Sequence, residues 1–190
     1  MILVLDTETT GLPRSYDIFS PLNTATVARL TELAYIFMDT KGFIEKSFNE
    51  LIIPEGFDPN TLPGSIITGI STEMCKSGVP LKQAIQSLIN AIDKYQPTHI
   101  VAHNYRFDSF ILDMESSRVN LTLNLINHPK QFCTMYKGRE FLKLARQPKL
   151  DDLYFQIMKK QRKGNHRAFI DARDTARIYK RIQNSNDPTP

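Results

Sequence analysis

Three short motifs that contain carboxylates lie at the ends of apolar segments, and they constrain the fold more than any other feature of this chain. The motifs are Asp6-Thr7-Glu8-Thr9-Thr10-Gly11, His103-Asn104-Tyr105-Arg106-Phe107-Asp108 and His166-Arg167-Ala168-Phe169-Ile170-Asp171. Together they supply the carboxylates of Asp6, Glu8, Asp108 and Asp171 and the imidazole of His166. A fold that gathers these groups would form a site for divalent metal ions, because hard cations prefer oxygen ligands.

The first motif follows the apolar run Ile2-Leu3-Val4-Leu5, which predicts a buried strand because it is short, partly β-branched and followed by turn residues. Asp6 and Glu8 then stand at the end of this strand. Side chains two residues apart in an extended segment share one face of a sheet. One cation could therefore bridge both carboxylates, although two acids at this spacing are common in proteins of this size.

The second motif follows another strand-like run, 98–102, and opens a predicted helix. The buried stripe of this helix is expected to contain Phe107, Phe110, Ile111 and Met114, which recur at helical spacing. Asp108 lies in the first turn, next to the stripe. It could act as a metal ligand there, or its charge could simply interact favourably with the helix dipole. His103 and Asn104 could equally be strand-end residues that form hydrogen bonds to the loop.

The third motif opens a predicted helix from about Phe169 to Ile182, in which Asp171 is in line with the apolar stripe. A buried carboxylate needs a cation, a hydrogen-bond network or a raised pKa. The opposite face is predicted to carry Arg173, Arg177, Lys180 and Arg181. Asp174 is interpreted as a solvated partner of Arg177 at i,i+3 spacing.

Apolar patterns elsewhere predict strands over 30–38 and 43–53 and a helix over 81–95. Strands and helices then alternate to the end of the chain, which favours a mixed α/β fold. A long loop over 14–26 could cover a substrate or could be a tolerated insertion.

In this order, the three motifs resemble those of the DEDDh 3′-to-5′ exonucleases, which include proofreading subunits of bacterial replicases, ribonuclease T, oligoribonuclease and the TREX-type enzymes. The resemblance extends from residue 2 to about 180. His166 precedes Asp171 by five residues, as in the histidine branch of the family, whereas the tyrosine branch has Tyr where this chain has Arg167. The resemblance implies a ribonuclease H-like α/β fold, with a central five-stranded mixed sheet flanked by helices.

The resemblance also implies a two-metal mechanism of phosphodiester hydrolysis. Asp6, Glu8 and Asp171 would hold one metal ion, Asp6 and Asp108 would hold the second, and His166 would be the general base. Because the ligands are all oxygen donors, two Mg²⁺ or Mn²⁺ ions suit the site better than zinc does. The products would be nucleoside 5′-monophosphates.

Substrate contacts are implied for Thr9, Leu12, His103 and Asn104. In the family, backbone after the acidic pair binds the terminal 3′-hydroxyl and an apolar residue wedges against the last base, roles that match Thr9 and Leu12. Leu12 could instead be a turn residue that covers the end of the sheet. The chain has Thr68-Gly69-Ile70 where many relatives have His-Gly-Ile, a departure that could alter the pocket for the terminal nucleotide.

With 190 residues and 41% apolar content, the chain fits a single exonuclease domain over 1–183 and a short disordered tail over 184–190. The formal net charge is +4, so the cations are expected outside the acidic site. Basic stretches over 137–149 and 159–163 could follow a nucleic-acid backbone, or could be solvated faces.

The expected partner is the 3′ end of a nucleic acid, with single-stranded DNA favoured and RNA open. A homodimer and association with a polymerase both remain open, although no extension indicates the latter. The start of the chain has neither the basic region nor the apolar stretch of a signal peptide, no transmembrane segment is evident, and the two cysteines fit a reducing compartment. We therefore expect an intracellular, cytoplasmic protein, with a nuclear location as the alternative, and not a secreted or membrane protein.

The main alternative function is a catalytically retired nucleic-acid-binding or polymerase-docking module with the same fold. The motifs argue against it, because every catalytic position that they require is filled. A phosphatase of the dehalogenase type would have Asp in place of Glu8 and a lysine motif further along the chain.

Overall fold

The computed structural model describes residues 1–17, 20, 28–164 and 166–184. The strands are β1 (Ile2–Thr9), β2 (Leu30–Met38), β3 (Ile44–Leu51), β4 (His99–Ala102) and β5 (Gln131–Cys133). The helices are α1 (Gly64–Thr68), α2 (Thr72–Cys75), α3 (Leu81–Tyr95), α4 (Tyr105–Arg118), α5 (Thr134–Leu142), α6 (Leu150–Met158) and α7 (Ala168–Asn184), with a 3₁₀ turn at Pro59–Thr61.

The strands form one five-stranded mixed sheet in the order β3-β2-β1-β4-β5. β2 pairs antiparallel with β1 and β3, whereas β4 pairs parallel with β1 and β5. The carboxyl ends of β1 and β4 therefore meet at one edge of the sheet, the edge at which ligands bind in many α/β folds. The first two sequence motifs begin at this edge.

Helices cover both faces of the sheet, and β1 packs against both layers. Leu3 and Leu5 join the core formed with α3 and α4, whereas Ile2 and Val4 pack against Tyr179 of α7 and its neighbours. Because side chains alternate along a strand, even-numbered positions of β1 face α7 and odd-numbered positions face α4. This alternation decides which side each polar residue at the end of β1 will face.

Several predicted elements have the expected bounds. The strand over 30–38 and the helix over 81–95 are confirmed, and α7 extends the helix predicted over 169–182 by a residue or two at each end. The strand predicted over 43–53 was too long, because β3 covers only 44–51. Ile52 forms an isolated bridge with Val79 instead of continuing the strand.

The stripe predicted on α4 is confirmed for Phe110, Ile111 and Met114, which are buried. Polar residues beyond the stripe are also buried, among them Ser109, Asp113, Glu115 and Ser116, while Phe107 is only partly buried. Asp113 is buried because the segment after α4 folds back over the helix: both of its carboxylate oxygens accept hydrogen bonds, at 2.8 Å each, from the backbone of Leu125 and Ile126. Glu115 instead pairs with Arg29.

Among the described residues, no helix has the length and apolar character needed to cross a membrane. Most of the predicted loop over 14–26 and the predicted tail beyond Asn184 lie outside the described residues. The division into one domain and a tail stays a prediction.

Candidate metal centre

Asp6, Glu8 and Asp171 converge at the end of β1. Asp6 and Glu8 occupy even-numbered positions and so face α7, where Asp171 lies in the first helical turn. One oxygen from each of the three carboxylates lies within 4.8 Å of the others. This spacing allows one cation to contact all three.

Asp108, on α4, forms hydrogen bonds with β1 from the opposite face of the sheet. Its Oδ1 accepts hydrogen bonds from the backbone N–H of Thr7, at 3.0 Å, and from the Thr7 hydroxyl, at 2.8 Å. Asp108 is only 2% exposed, so it is not an ordinary surface charge at a helix N-terminus. Thr7 thus places the fourth carboxylate beside the pair formed by Asp6 and Glu8.

The carboxylates raise one another's pKa. Burial, and then the charges of Asp108, Asp171 and Glu8, raise the pKa of Asp6 well above its ordinary value. Burial and the charge of Asp171 raise the pKa of Glu8 to about 8. Burial raises the pKa of Asp108 to about 7, although the hydrogen bonds from Thr7 oppose the increase.

Such a cluster is costly when all of its members are ionised, and a divalent cation among them would remove the repulsion. The donors are all carboxylate oxygens, a set that suits Mg²⁺ or Mn²⁺. The residues therefore fit the metal ions that the motifs imply. Burial also raises the pKa of Asp171, while Arg162 and His166 lower it.

His166 lies beside the cluster on the segment between α6 and α7. Its side chain is 52% exposed, and its Nδ1 lies 3.5 Å from Oδ2 of Asp171. Gly164, two residues earlier, has φ +116°, a conformation that residues with side chains rarely adopt. The imidazole is therefore accessible and next to a predicted metal ligand.

Arg162 fits neither alternative given for the basic stretch 159–163, a solvated face or a surface that follows a nucleic-acid backbone. Its side chain is only 7% exposed, and it forms ion pairs with Asp151, Asp171 and Asp174. The interpretation of Asp174 as solvated was also wrong, because this residue is 1% exposed. Asp174 does pair with Arg177, at 2.8 Å. Arg162, on the segment between α6 and α7, also contacts Asp174 and covers it from solvent.

Sequence reasoning missed Glu32, which lies opposite Glu8 on β2. Glu32 is 1% exposed, and its carboxylate accepts hydrogen bonds from Arg167 Nε and Nη2 and from the backbone N–H of Ala168, the first residue of α7. Glu32 therefore fixes the start of the helix that carries Asp171. The sequence feature that could have indicated a buried, paired Glu32 is that it is the single charged residue in the long apolar strand 30–38.

An apolar cavity of about 410 Å³ adjoins Glu8. Its lining includes the predicted contacts Thr9 and Leu12, and also Pro63, Gly64, Ile67, Thr68 and Phe107. Leu12 is 76% exposed, so it does not cover the end of the sheet. Ile67 was missed because α1 is a single turn, too short for an apolar pattern.

Gly64 allows α1 to approach β1 closely. A Cβ atom at this position would lie 2.0 Å from the carbonyl oxygen of Thr9, and the Gly64 N–H donates to the carbonyl of Thr10 at 2.9 Å. Only glycine permits this contact without displacing the backbone. The contact places Ile67 and Thr68 at the cavity, where the Thr68 hydroxyl donates to the carbonyl of Gly64.

His103 and Asn104 directly follow β4, and the contacts of His103 favour its interpretation as a strand-end residue that forms hydrogen bonds to the loop. His103 Nε2 lies 3.2 Å from the carbonyl of Pro148, and Nδ1 lies 3.1 Å from the Thr134 hydroxyl. A carbonyl can only accept, so Nε2 carries the proton and Nδ1 accepts. Burial lowers the pKa of His103 to about 4. Asn104 adopts a left-handed conformation, φ 65°, before α4.

A family model described as "Exonuclease" (RNase_T) matches residues 3–179, nearly the whole chain. The chain belongs to this exonuclease family. It is therefore an exonuclease, a hydrolase of nucleic acids, and the membership inferred from the three motifs is confirmed. A search of curated proteins finds no match.

Solved structures of exonucleases share the fold. The nuclease domain of 3′hExo, a DEDDh family member bound to rAMP, is 18% identical, with a TM-score of 0.73 over 97% of this chain and 92% of that domain. Exonuclease I of E. coli in complex with a dT13 oligonucleotide is 15% identical, with a TM-score of 0.74 over 96% of this chain and 40% of that protein. The ribonuclease H-like fold is confirmed.

Proposed function

We propose that this chain removes nucleotides from the 3′ end of a single-stranded nucleic acid by a two-metal mechanism and releases nucleoside 5′-monophosphates. The observation that carries the proposal is the convergence of Asp6, Glu8 and Asp171, whose oxygens lie within 4.8 Å of one another. Asp108, held by Thr7, is the additional carboxylate that a second metal ion requires.

Asp6, Glu8 and Asp171 would hold one ion, and Asp6 and Asp108 would hold the other. Ions at these positions would lower the pKa of the attacking water and stabilise charge on the leaving 3′ oxygen. The chain supplies fixed oxygen donors on rigid elements: β1 carries Asp6 and Glu8, while Asp108 and Asp171 lie in the first turns of α4 and α7. Such rigidity keeps the donors in place during catalysis.

His166 is the proposed general base. The proximity of its Nδ1 to Asp171 favours the tautomer with the proton on Nδ1, which leaves Nε2 able to accept a proton from water. The exposure of the ring agrees with this role, because a base that accepts a proton from bound water must reach the substrate side of the cluster.

The terminal nucleoside is proposed to occupy the apolar cavity beside Glu8. Leu12, Ile67 and Phe107 would contact the faces of the base, and the backbone at Thr9 would contact the 3′-hydroxyl. Stacking against a base does not depend on its identity, so this cavity would accept any terminal base. We propose that His103 and Asn104 shape the site through the protein backbone rather than through direct contact with substrate.

The preferred polymer is proposed to be single-stranded DNA, with RNA as the alternative. Solved structures with this fold include one titled "3′-end specific recognition of histone mRNA stem-loop by 3′-exonuclease", 17% identical over 97% of this chain and 64% of that protein, with a TM-score of 0.72. Exonuclease I, in contrast, was solved with a DNA oligonucleotide, so the relatives support both alternatives.

The test is incubation of the protein with 5′-labelled single-stranded DNA and RNA of one sequence, in Mg²⁺, Mn²⁺ or EDTA. We expect a ladder of shortened products that requires metal and is lost in Asp6→Ala, and the faster ladder identifies the preferred polymer. Circular dichroism shows whether Asp6→Ala is folded. Retained binding without shortening of either polymer would contradict the proposal and favour the docking module.

A further inference from the structure

Arg162 places a positive charge directly on a predicted metal ligand. Its guanidinium uses separate nitrogens for separate carboxylates: Nε donates to Asp174 Oδ2 at 3.0 Å, Nη1 donates to Asp151 Oδ1 at 2.6 Å, and Nη2 donates to Asp171 Oδ1. The side chain of Arg162 is 7% exposed, and its partners Asp171 and Asp174 are 10% and 1% exposed, whereas Asp151 is 61% exposed. Such contacts inside a protein are screened much less than surface ion pairs.

Both carboxylate oxygens of Asp171 already have partners. Oδ1 accepts from Arg162, and Oδ2 lies 3.5 Å from Nδ1 of His166. A cation that coordinates Asp171 must therefore share one of these oxygens or displace a partner. Arg162 is the stronger obstacle, because a guanidinium keeps its charge at every physiological pH.

We propose that Arg162 is an internal counter-cation that competes with a divalent metal ion for Asp171 and so sets the affinity of the site for metal. The inference depends on the proposed function, because it requires Asp171 to be a metal ligand. Arg162 would hold Asp171 in place before metal binds, and would give up Oδ1 when metal binds.

The surroundings of Arg162 allow this exchange. Asp151 and Asp174 would keep the guanidinium paired after it leaves Asp171. Arg162 also lines a cavity of about 420 Å³ with Asp151 and Gln161, so space is available for a small movement. Arg162 and His166 belong to the same segment between α6 and α7. Release of Arg162 from Asp171 would therefore also affect the position of His166.

A purely structural role makes a different prediction. If Arg162 only joined α6 to α7, any substitution would loosen Asp171 and weaken metal binding. Competition predicts that loss of the positive charge strengthens metal binding, and that lysine, which keeps the charge, strengthens it less than an uncharged residue does.

The test is calorimetric titration of the full chain with Mn²⁺ near pH 8, without nucleic acid. We expect Arg162→Gln to bind Mn²⁺ more tightly, on the order of tenfold, because one positive charge next to the bound ion is removed. Arg162→Lys keeps the positive charge, although its ammonium group cannot reproduce the three separate contacts of the guanidinium, and it should bind Mn²⁺ less tightly than Arg162→Gln does. Arg177→Gln is the matched control, because Arg177 pairs with Asp174 and not with Asp171. The affinity of this variant for Mn²⁺ should equal that of the wild type.

A double-mutant cycle separates the possible failures. In an Asp171→Asn background, Arg162→Gln should have no effect on the affinity for Mn²⁺, because the shared ligand is gone. Equal or weaker binding by Arg162→Gln in the wild-type background would overturn the competition. If Asp171→Asn alone left the Mn²⁺ affinity unchanged, the metal site itself would be wrong. If Arg162→Gln does not fold, Arg162→Met, which keeps most of the aliphatic stem, provides the same comparison.

Discussion

Thr7 and Asp108 are joined by two hydrogen bonds, from the backbone N–H and the hydroxyl of Thr7 to a single oxygen of Asp108. The contact joins residues 101 positions apart in the chain, and it places a carboxylate of α4 beside the acidic end of β1. The orientation of Asp108 therefore depends on a residue that carries no charge.

Thr7→Val should show how much the hydroxyl of Thr7 contributes to the position of Asp108, without changing the overall fold. Valine matches the shape of threonine but cannot donate, and loss of the hydroxyl bond raises the pKa of Asp108 further, because that bond lowers it. We expect a loss of stability of about 1–2 kcal/mol and a clear decrease in the rate of cleavage at neutral pH. Thr7→Ser, which keeps the hydroxyl, is the control. Rates and urea denaturation measure both effects, and wild-type cleavage by Thr7→Val would show that the hydroxyl bond is unimportant.

The acidic cluster should make stability depend on pH in a direction opposite to that of ordinary surface acids. The raised pKa values, about 8 for Glu8 and about 7 for Asp108, mean that the folded protein holds protons that the unfolded chain releases near pH 4. This contribution to stability is complete below the ordinary pKa values of 4.5 and 3.8, and it is lost progressively as the pH rises from these values to the raised values of about 8 and about 7. In EDTA, the Tm should therefore fall over this range.

Mg²⁺ at pH 8 should restore much of the lost stability, because metal binds the ionised carboxylates of the folded protein. Thermal unfolding with EDTA and with Mg²⁺ from pH 5 to pH 9 measures both effects. Glu8→Gln, which cannot ionise, should show a weaker pH dependence. A wild-type Tm in EDTA that rises from pH 6 to pH 8 would contradict the raised pKa values.

His166→Ala should lower kcat by about 10²–10⁴, the usual contribution of a general base, while the affinity for Mn²⁺ stays within a few-fold of wild type. The reason is that His166 is adjacent to Asp171 but is not among the carboxylates that would hold metal. His128→Ala is the control, because this histidine lies outside the cluster. Nearly unchanged kcat for His166→Ala would exclude the proposed base.

Leu12→Ala should weaken substrate binding without destabilising the protein. Leu12 is 76% exposed, so its truncation removes little buried area, but it would lose contact with the terminal base. We expect KM for short single-stranded DNA to rise about tenfold, because truncation removes about 1.5 kcal/mol of apolar contact with the base. Phe43→Ala, at a 73% exposed residue outside the cavity, should leave KM unchanged. If Leu12→Ala and Phe43→Ala had the same KM, Leu12 would not contact the terminal base as proposed.

Glu32→Ala should destabilise the protein and disturb the site indirectly. Removing one partner of a buried ion pair costs about 3–5 kcal/mol, and the lower part of that range is expected because Arg167 is one-third exposed. The start of α7 would also lose its cap at Ala168. Denaturant unfolding measures the loss, and Glu140→Gln, in an exposed pair with Lys137, should have little effect. Unchanged stability would mean that Arg167 and Ala168 find other partners.

Local patterns predicted the elements on which the candidate site stands. The spacing of Asp6 and Glu8 on a strand predicted that both face the same way, and the helix predicted over 81–95 has the same bounds as α3. The burial of Asp171 followed from its alignment with the apolar stripe of α7. These inferences depend on the geometry of one strand or one helix, which is encoded within a few residues.

Contacts between distant segments could not be predicted in this way. Asp174 and Arg162 each looked like a solvated charge within its own segment, and only their mutual contact explains why both are buried. The burial of Asp113 on α4 could not be predicted for a similar reason, since its carboxylate is covered by the backbone of Leu125 and Ile126. A buried charge depends on its partner, and the partner lies elsewhere in the chain.

The sequence by itself determined the family, the alternation of strands and helices, and the identity of the acidic residues, because motif spacing and periodicity are local properties. The tertiary structure decided that Thr7 orients Asp108, that Glu32 caps the helix carrying Asp171, and that Arg162 contacts Asp171 directly. These relationships require residues far apart in the chain to come within hydrogen-bonding distance, and only the packing of α4 and α7 against opposite faces of the sheet brings them there.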